Sequence, residues 1–131
     1  MLRITLRDGE KAIVNGAVLR AVGRTQLCVE NKVAIMRGRE VMKPEEATTL
    51  ARKLYFQAML AYIDPAGRDD HQNAVVNLLA AVVATFEAPE AKAICVRFAH
   101  EMARGEHYRA LQAARDLIAI EAADQTETQA A

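Results

Sequence analysis

Hydrophobic and polar residues alternate along the first forty positions of the chain. In the opening stretch "LRITLR", Leu2, Ile4 and Leu6 share one face of a strand, and the arginines share the other. Asp-Gly at 8–9 and Asn-Gly at 15–16 are typical of tight hairpin turns, because these residues accept a positive φ. The stretches "KAIV", "AVLRAV", "QLCVEN" and "KVAIMR" continue the pattern. This half of the chain therefore predicts a small antiparallel sheet or half-barrel.

The apolar spacing becomes helical after Pro44. Proline suits the first turn of a helix, so the first helix is predicted from Pro44 to Asp64. A polar loop, "AGRDDHQ", leads into a second helix that ends at Thr85. A third helix starts at Pro89 and is capped by Gly105, and "EHYRALQAARDLIAIEAA" predicts a fourth.

These elements predict an α+β fold in three parts. A basic β-module covers residues 1–43, a bundle of about four α-helices covers 44–123, and the polar tail 124–131 is expected to be disordered. A sheet this small is marginal on its own. It must therefore pack on the helices or on a second copy of itself, so a homodimer stays open.

Two of the predicted helices are apolar on nearly all sides. Between residues 54 and 63 only Gln57 is polar, and the stretch 74–86 is similar. Either these helices form a central buried pair, or a face of the first helix docks a protein partner or a second subunit. The candidate docking residues are Tyr55, Phe56, Met59 and Tyr62.

The two parts of the chain carry opposite charge. The full chain has 17 Lys and Arg and 17 Asp and Glu; residues 1–43 hold nine and four of these, a net of +5, which leaves −5 for the rest. Basic residues clustered on a small sheet are typical of a protein that binds a phosphate backbone, although they also keep sheet edges soluble. Residues 1–54 contain no aromatic side chain, so RNA contacts there would rely on phosphates and base edges. The candidate RNA-binding residues are Arg3, Arg7, Lys11, Arg20, Arg24, Lys32, Arg37 and Arg39.

Catalytic, metal and membrane functions find no support in the sequence. The two cysteines, Cys28 and Cys95, are predicted to be free and buried, as in a reducing compartment. The histidines lack metal-ligand spacing, and no nucleophile or phosphate-loop motif is present, so no enzyme activity, metal or cofactor is expected. The longest apolar run is too short for a membrane span, which needs about 20 residues. A cytoplasmic protein is predicted.

Three segments resemble a known protein family. "LRDGEKAIVNGAV", "ATTLARKLYFQAMLAYID" and "CVRFAHEMARGEHYRALQAARDLIAIE" resemble, in this order, the alphaproteobacterial flagellum biosynthesis repressor family, FlbT. The resemblance implies a post-transcriptional repressor that binds the 5′ untranslated leader of flagellin mRNA and lowers its translation or stability, alongside the companion regulator FlaF. The alternative is an adaptor or chaperone that captures flagellin or FlaF and affects translation indirectly.

A second, local resemblance concerns the sheet alone. The opening "ML..T.R.GE" and the stretch "VAIMR" at 33–37 are similar to the carbon storage regulator family of RNA-binding dimers. In that family a first and a late strand supply the basic contacts to an RNA hairpin, and the helical bundle is missing. By position, this resemblance implies Arg7 and Arg37 as contacts.

Overall fold

Five short strands precede four α-helices in the computed structural model, which describes residues 2–130 and the side chains up to residue 124. The α+β prediction is confirmed. The strands are β1 (Leu2–Leu6), β2 (Lys11–Val14), β3 (Ala17–Arg20), β4 (Thr25–Val29) and β5 (Ile35–Arg37). The helices are α1 (Leu50–Ile63), α2 (Arg68–Thr85), α3 (Pro89–Ala103) and α4 (His107–Ala130).

The strands form two antiparallel sheets, one of β1 and β4 and the other in the order β3-β2-β5. Asn15 (φ 51°) and Gly16 (φ 89°) make the predicted hairpin between β2 and β3. The prediction of a hairpin at Asp8 and Gly9 is wrong, because β1 and β2 do not pair. The Asp8 carboxylate instead accepts the Gly23 N–H at 2.8 Å, so this turn carries the chain from one sheet to the other.

The sheets pack on the helices of the same chain through β5. Met36 of β5 is 1% exposed and belongs to the core of the bundle. The Ile35 N–H donates a hydrogen bond to the Tyr62 hydroxyl at 3.0 Å. A Cβ added at Gly16 would lie 3.2 Å from the Ile63 carbonyl oxygen, so the β2–β3 turn abuts the end of α1. The sheets' own core is small, which makes this support necessary: Leu6, Ala12 and Ala21, with Leu27 packed on them.

The start of α1 differs from the prediction. Residues Pro44–Glu46 form a separate 3₁₀ turn, and α1 begins only at Leu50. The Thr49 side chain accepts the Arg52 N–H at 3.3 Å and so caps the helix. A threonine that satisfies a free N–H fixes the start of a helix more firmly than a proline, which only tolerates that position.

The predicted loop before α2 is largely helical. Since α2 begins at Arg68, Asp69 and Asp70 lie in its first turn, where negative charge favours the helix dipole. The predicted end of α3 is confirmed: Gly105 (φ 75°) donates to the Met102 carbonyl, and Glu106 donates to that of Glu101. These two bonds form a Schellman cap.

The backbone of residues 124–130 continues α4, where the sequence predicts disorder, and residue 131 lies outside the described residues. Alanine, glutamine and glutamate extend an existing helix without a new nucleation cost. The division of the chain at residue 43 stays a prediction, and Met36 shows that the module shares a core with the bundle.

Two of the four predicted docking residues of α1 are buried in the bundle. Tyr55 and Met59 are each 3% exposed, so neither can contact a partner without opening the core. Phe56 and Tyr62 are half-buried and pack against the same core. Burial thus accounts for Tyr55 and Met59, whereas docking by Phe56 and Tyr62 stays a prediction.

Candidate nucleic-acid interface

An open cleft of about 1730 Å³ lies between the two sheets and the helices. We call it the basic cleft. β1 and β5 line its two sides, and the Arg37 guanidinium reaches from β5 to donate to the Thr5 carbonyl of β1 at 3.2 Å. Tyr62 of α1, with Tyr108 and Arg115 of α4, lines the helical side. The cleft is thus built from both parts of the chain.

The basic cleft divides the eight sequence-predicted RNA-binding residues into two groups. Four line the cleft: Arg7, Arg24, Arg37 and Arg39. The other four lie outside its lining: Arg3, Lys11, Arg20 and Lys32. Lys11 and Arg20 face each other across β2 and β3, with both side chains exposed. The fold therefore gathers half of the predicted surface and leaves the other half dispersed.

The acidic residues of the cleft are held by the protein itself. One carboxylate oxygen of Glu10 accepts the Arg7 N–H at 2.9 Å, and its other oxygen lies over Gly38, where an added Cβ would approach within 2.6 Å. The Glu40 carboxylate accepts the Arg37 N–H at 3.3 Å. As described above, Asp8 accepts a backbone N–H in the same way. These carboxylates order turns of the backbone.

Three of the five arginines that line the cleft behave in the opposite way. Within the described residues, the guanidinium groups of Arg7, Arg24 and Arg39 make no hydrogen bond or ion pair. A guanidinium carries five donors in a planar fork that matches phosphate oxygens. Three such groups around one open cleft form a surface suited to a polyanion.

Glu40 also ties the sheets to the helices at the inner end of the cleft. The Tyr108 hydroxyl donates to its carboxylate at 2.5 Å, and the Tyr55 hydroxyl donates to its carbonyl at 2.6 Å. Arg115 donates to the Tyr55 hydroxyl at 3.3 Å and lies 3.8 Å from the Glu40 carboxylate. The hydrogen bond to Glu40 raises the pKa of Tyr108, and burial raises that of Tyr55. Both hydroxyls therefore remain protonated donors.

The helices supply the aromatic side chains that the first 54 residues lack. Tyr62 and Tyr108 line the cleft with ring centroids 6.4 Å apart, and His107 stacks on Tyr62 at 6.2 Å. Tyr62 is predicted from the sequence only as a protein contact, and Tyr108 and Arg115 are not among the predicted site residues. The segments that resemble the FlbT family contain all three, and this was the available signal.

Other candidate chemistry is sparse in the described part of the chain. No three His, Cys, Asp or Glu side chains there come together as metal ligands. None of the described helices has the length and apolar character needed to cross a membrane. Cys95 is buried, which raises the pKa of its thiol, whereas Cys28 is exposed on β4 and not buried as predicted.

A protein-family model described as "Flagellar protein FlbT" matches residues 2–124. The chain belongs to the FlbT family. It is 35% identical over 122 residues to a probable flagellum biosynthesis repressor protein FlbT of Caulobacter sp. (strain K31), covering 92% of each chain. It is 37% identical over 120 residues to one of Agrobacterium fabrum, covering 92% of this chain and 80% of that one. No solved structure matches the chain.

The name of a third FlbT relative lacks the word "probable". The flagellum biosynthesis repressor protein FlbT of Caulobacter vibrioides (strain ATCC 19089) is 34% identical over 122 residues, covering 92% of this chain and 86% of the relative. The FlbT match at residues 2–124 spans every residue that lines the basic cleft.

Proposed function

We propose that this FlbT-family chain represses flagellum biosynthesis by binding RNA in the basic cleft, the RNA being the 5′ untranslated leader of flagellin mRNA. The relatives' names support the repressor role. The single observation that supports RNA binding most strongly is the contrast inside the cleft. The carboxylates there accept protein N–H groups, while the guanidiniums of Arg7, Arg24 and Arg39 have no partner among the described residues.

The geometry suits a single strand or a loop of RNA. The arginines would neutralise phosphates and release counterions, which gives sequence-independent affinity. Tyr62 and Tyr108 offer ring faces at the helical side, on which unpaired bases stack. RNA held in this way would be withheld from the ribosome, and translation or message lifetime would fall.

The test compares two triple variants with equal charge change. Arg7→Glu/Arg24→Glu/Arg39→Glu alters the cleft, and Arg3→Glu/Lys11→Glu/Arg20→Glu alters predicted residues outside it. Both are titrated against a flagellin leader RNA and a scrambled RNA at several salt concentrations. The cleft variant should bind the leader at least about tenfold more weakly, and the slope of log K against log salt should fall by about 2, because each lost phosphate contact contributes roughly 0.7.

The control variant should keep most of its affinity and its salt slope. Equal losses in both variants would show that general charge, and not the cleft, governs binding. Failure of the unaltered protein to bind the leader would overturn direct RNA recognition.

A protein-binding role is the second candidate, and one feature of α2 favours it. Of the 18 residues of α2, only Val75 and Val82 are buried. Val76 is 65% exposed and Val83 is 45% exposed, and their spacing of seven residues puts them on one side of the helix. An exposed apolar stripe of this kind suits capture of a partner helix, such as one from flagellin or FlaF. We therefore propose this side of α2 as the docking surface for the second candidate function.

A further inference from the structure

A second hollow, of about 570 Å³, lies between α3 and α4. We call it the α3–α4 hollow. Arg115 lines both this hollow and the basic cleft, so the two cavities are neighbours at this residue. The residues that line the hollow are Arg97 and Glu101 of α3 with Arg109, Gln112, Arg115 and Asp116 of α4.

The polar side chains on α4 form a continuous stripe. Arg109, Gln112, Arg115 and Asp116 follow the i, i+3, i+6, i+7 spacing of one helix face. At about 1.5 Å per residue, Arg109 lies about 9 Å along the helix axis from Arg115. A chain that leaves the cleft over Arg115 would meet Arg109 next.

Arg97 and Arg109, two arginines that line the hollow, differ in their contacts with the protein. Arg97 pairs with Asp116 at 2.5 Å, and both side chains are more than half exposed. Arg109 is exposed and makes no hydrogen bond or ion pair within the described residues. Arg109 therefore resembles Arg7, Arg24 and Arg39 of the cleft: a guanidinium in the wall of a cavity with its donors available to a phosphate.

Glu101 gives the hollow a second kind of recognition group. The residue is only 8% exposed, and one carboxylate oxygen lies 3.4 Å from the Arg104 guanidinium. The other oxygen is buried and has no hydrogen-bond partner among the described residues. Buried polar atoms are nearly always paired, so an unpaired acceptor on a residue that lines the hollow favours a ligand that brings a donor. A phosphate has no such donor, whereas a ribose hydroxyl or a base amine does.

We propose that the α3–α4 hollow is a second nucleotide subsite, in which Arg109 binds a phosphate and Glu101 accepts a hydrogen bond from the nucleoside. RNA would run from the basic cleft over Arg115 into this hollow. This inference rests on the proposed RNA binding and extends it to the helical part of the chain, whose net charge is negative.

The experiment uses the full chain and two oligoribonucleotides from the flagellin leader, one of about four nucleotides and one of about sixteen, which bracket common single-strand site sizes. The variant Arg109→Glu is compared with Lys92→Glu, an exposed α3 residue outside the linings of both cavities. Arg109→Glu should weaken the long RNA at least about fivefold and leave the short RNA nearly unchanged. The control, Lys92→Glu, should change the affinity for neither RNA by more than about twofold.

A second variant, Glu101→Met, tests whether Glu101 accepts a hydrogen bond from the RNA. The measurement is whether affinity for the long RNA falls or rises. If Glu101 accepts a donor from the nucleoside, this variant weakens the long RNA; if the carboxylate only repels phosphate, the variant tightens it, and the assignment of Glu101 is overturned. Thermal unfolding checks that each variant is folded.

Equal effects of Arg109→Glu and Lys92→Glu on an RNA that the unaltered protein binds would overturn the subsite while leaving the cleft intact. No binding of either RNA to the unaltered protein would overturn the proposed function, and the subsite with it.

Discussion

His107 at the start of α4 shows how a single side chain can make folding sensitive to acid. Its ring stacks on Tyr62, and its Nε2 atom is buried without a hydrogen-bond partner among the described residues. Burial lowers the pKa of His107 below the ordinary value of 6.5, and the nearby charge of Arg68 lowers it further. The folded chain therefore resists protonation at this site more than the unfolded chain does.

The stabilising contribution of neutral His107 is present above pH 6.5 and is lost as the pH falls below it, because the unfolded state then binds the proton preferentially. We predict that the free energy of unfolding falls between about pH 7.5 and about pH 5, and that His107→Gln makes this fall smaller. Urea denaturation at both pH values measures it. His100→Gln, at an exposed position of α3, is the control and should keep the full fall. The same fall in both variants would assign the acid sensitivity elsewhere.

Turns and helix ends that depend on neighbouring residues were predictable from the sequence. Helix starts and strand pairings that have several possible solutions were not. Asn15 and Gly16 both require a positive φ, and Gly105 ends α3, so each could be recognised from its neighbours alone. The start of α1 required a choice between Pro44 and the cap at Thr49, which the pattern of apolar residues does not settle. The pairing of β1 with β4 depends on contacts between distant residues, so the local signal at residues 8–9 predicts a hairpin that the fold does not form.

Two glycines at positive φ give a prediction at the scale of elements. At Gly105 an added Cβ meets nothing within 4 Å, so Gly105→Ala should cost only the backbone strain, about 1 kcal/mol. Gly16→Ala carries a similar strain and also brings its Cβ to 3.2 Å from the Ile63 carbonyl. We expect Gly16→Ala to lower the free energy of unfolding more than Gly105→Ala does, as measured by urea denaturation. Equal losses of unfolding free energy in the two variants would mean that the contact between the β2–β3 turn and the end of α1 does not affect stability.

For the molecule as a whole, the two oppositely charged parts of the chain both contribute residues to the lining of the basic cleft. The sequence alone predicts Arg7, Arg24, Arg37 and Arg39, because a charge cluster on a short sheet is visible without the fold. It could not place Arg115 beside them, since only the packing of α4 brings that residue to the cleft. Four of the five arginines that line the cleft were thus predictable, while the fifth, on the helical side, depends on tertiary packing.

At the scale of the whole molecule, the proposed RNA-binding cleft and the proposed protein-docking surface on α2 involve different residues, so variants can separate the two functions. Val76→Glu/Val83→Glu should abolish capture of flagellin or FlaF in a pull-down, because two buried charges in an apolar contact are costly, while leader RNA affinity stays unchanged. Thr85→Glu, an exposed position on the other side of α2, is the control. Undiminished capture by the double variant would remove α2 as the docking surface.

The basic cleft joins Arg7, near the start of the chain, to Arg115, close to its end. A ribosome makes the chain from the amino terminus, so the arginines of the sheets emerge long before the helix that completes their site. The cleft exists only after α4 has been released and has packed. A chain in which α4 has not yet packed therefore lacks the helical side of the cleft, and whatever binds there must wait for that step of folding.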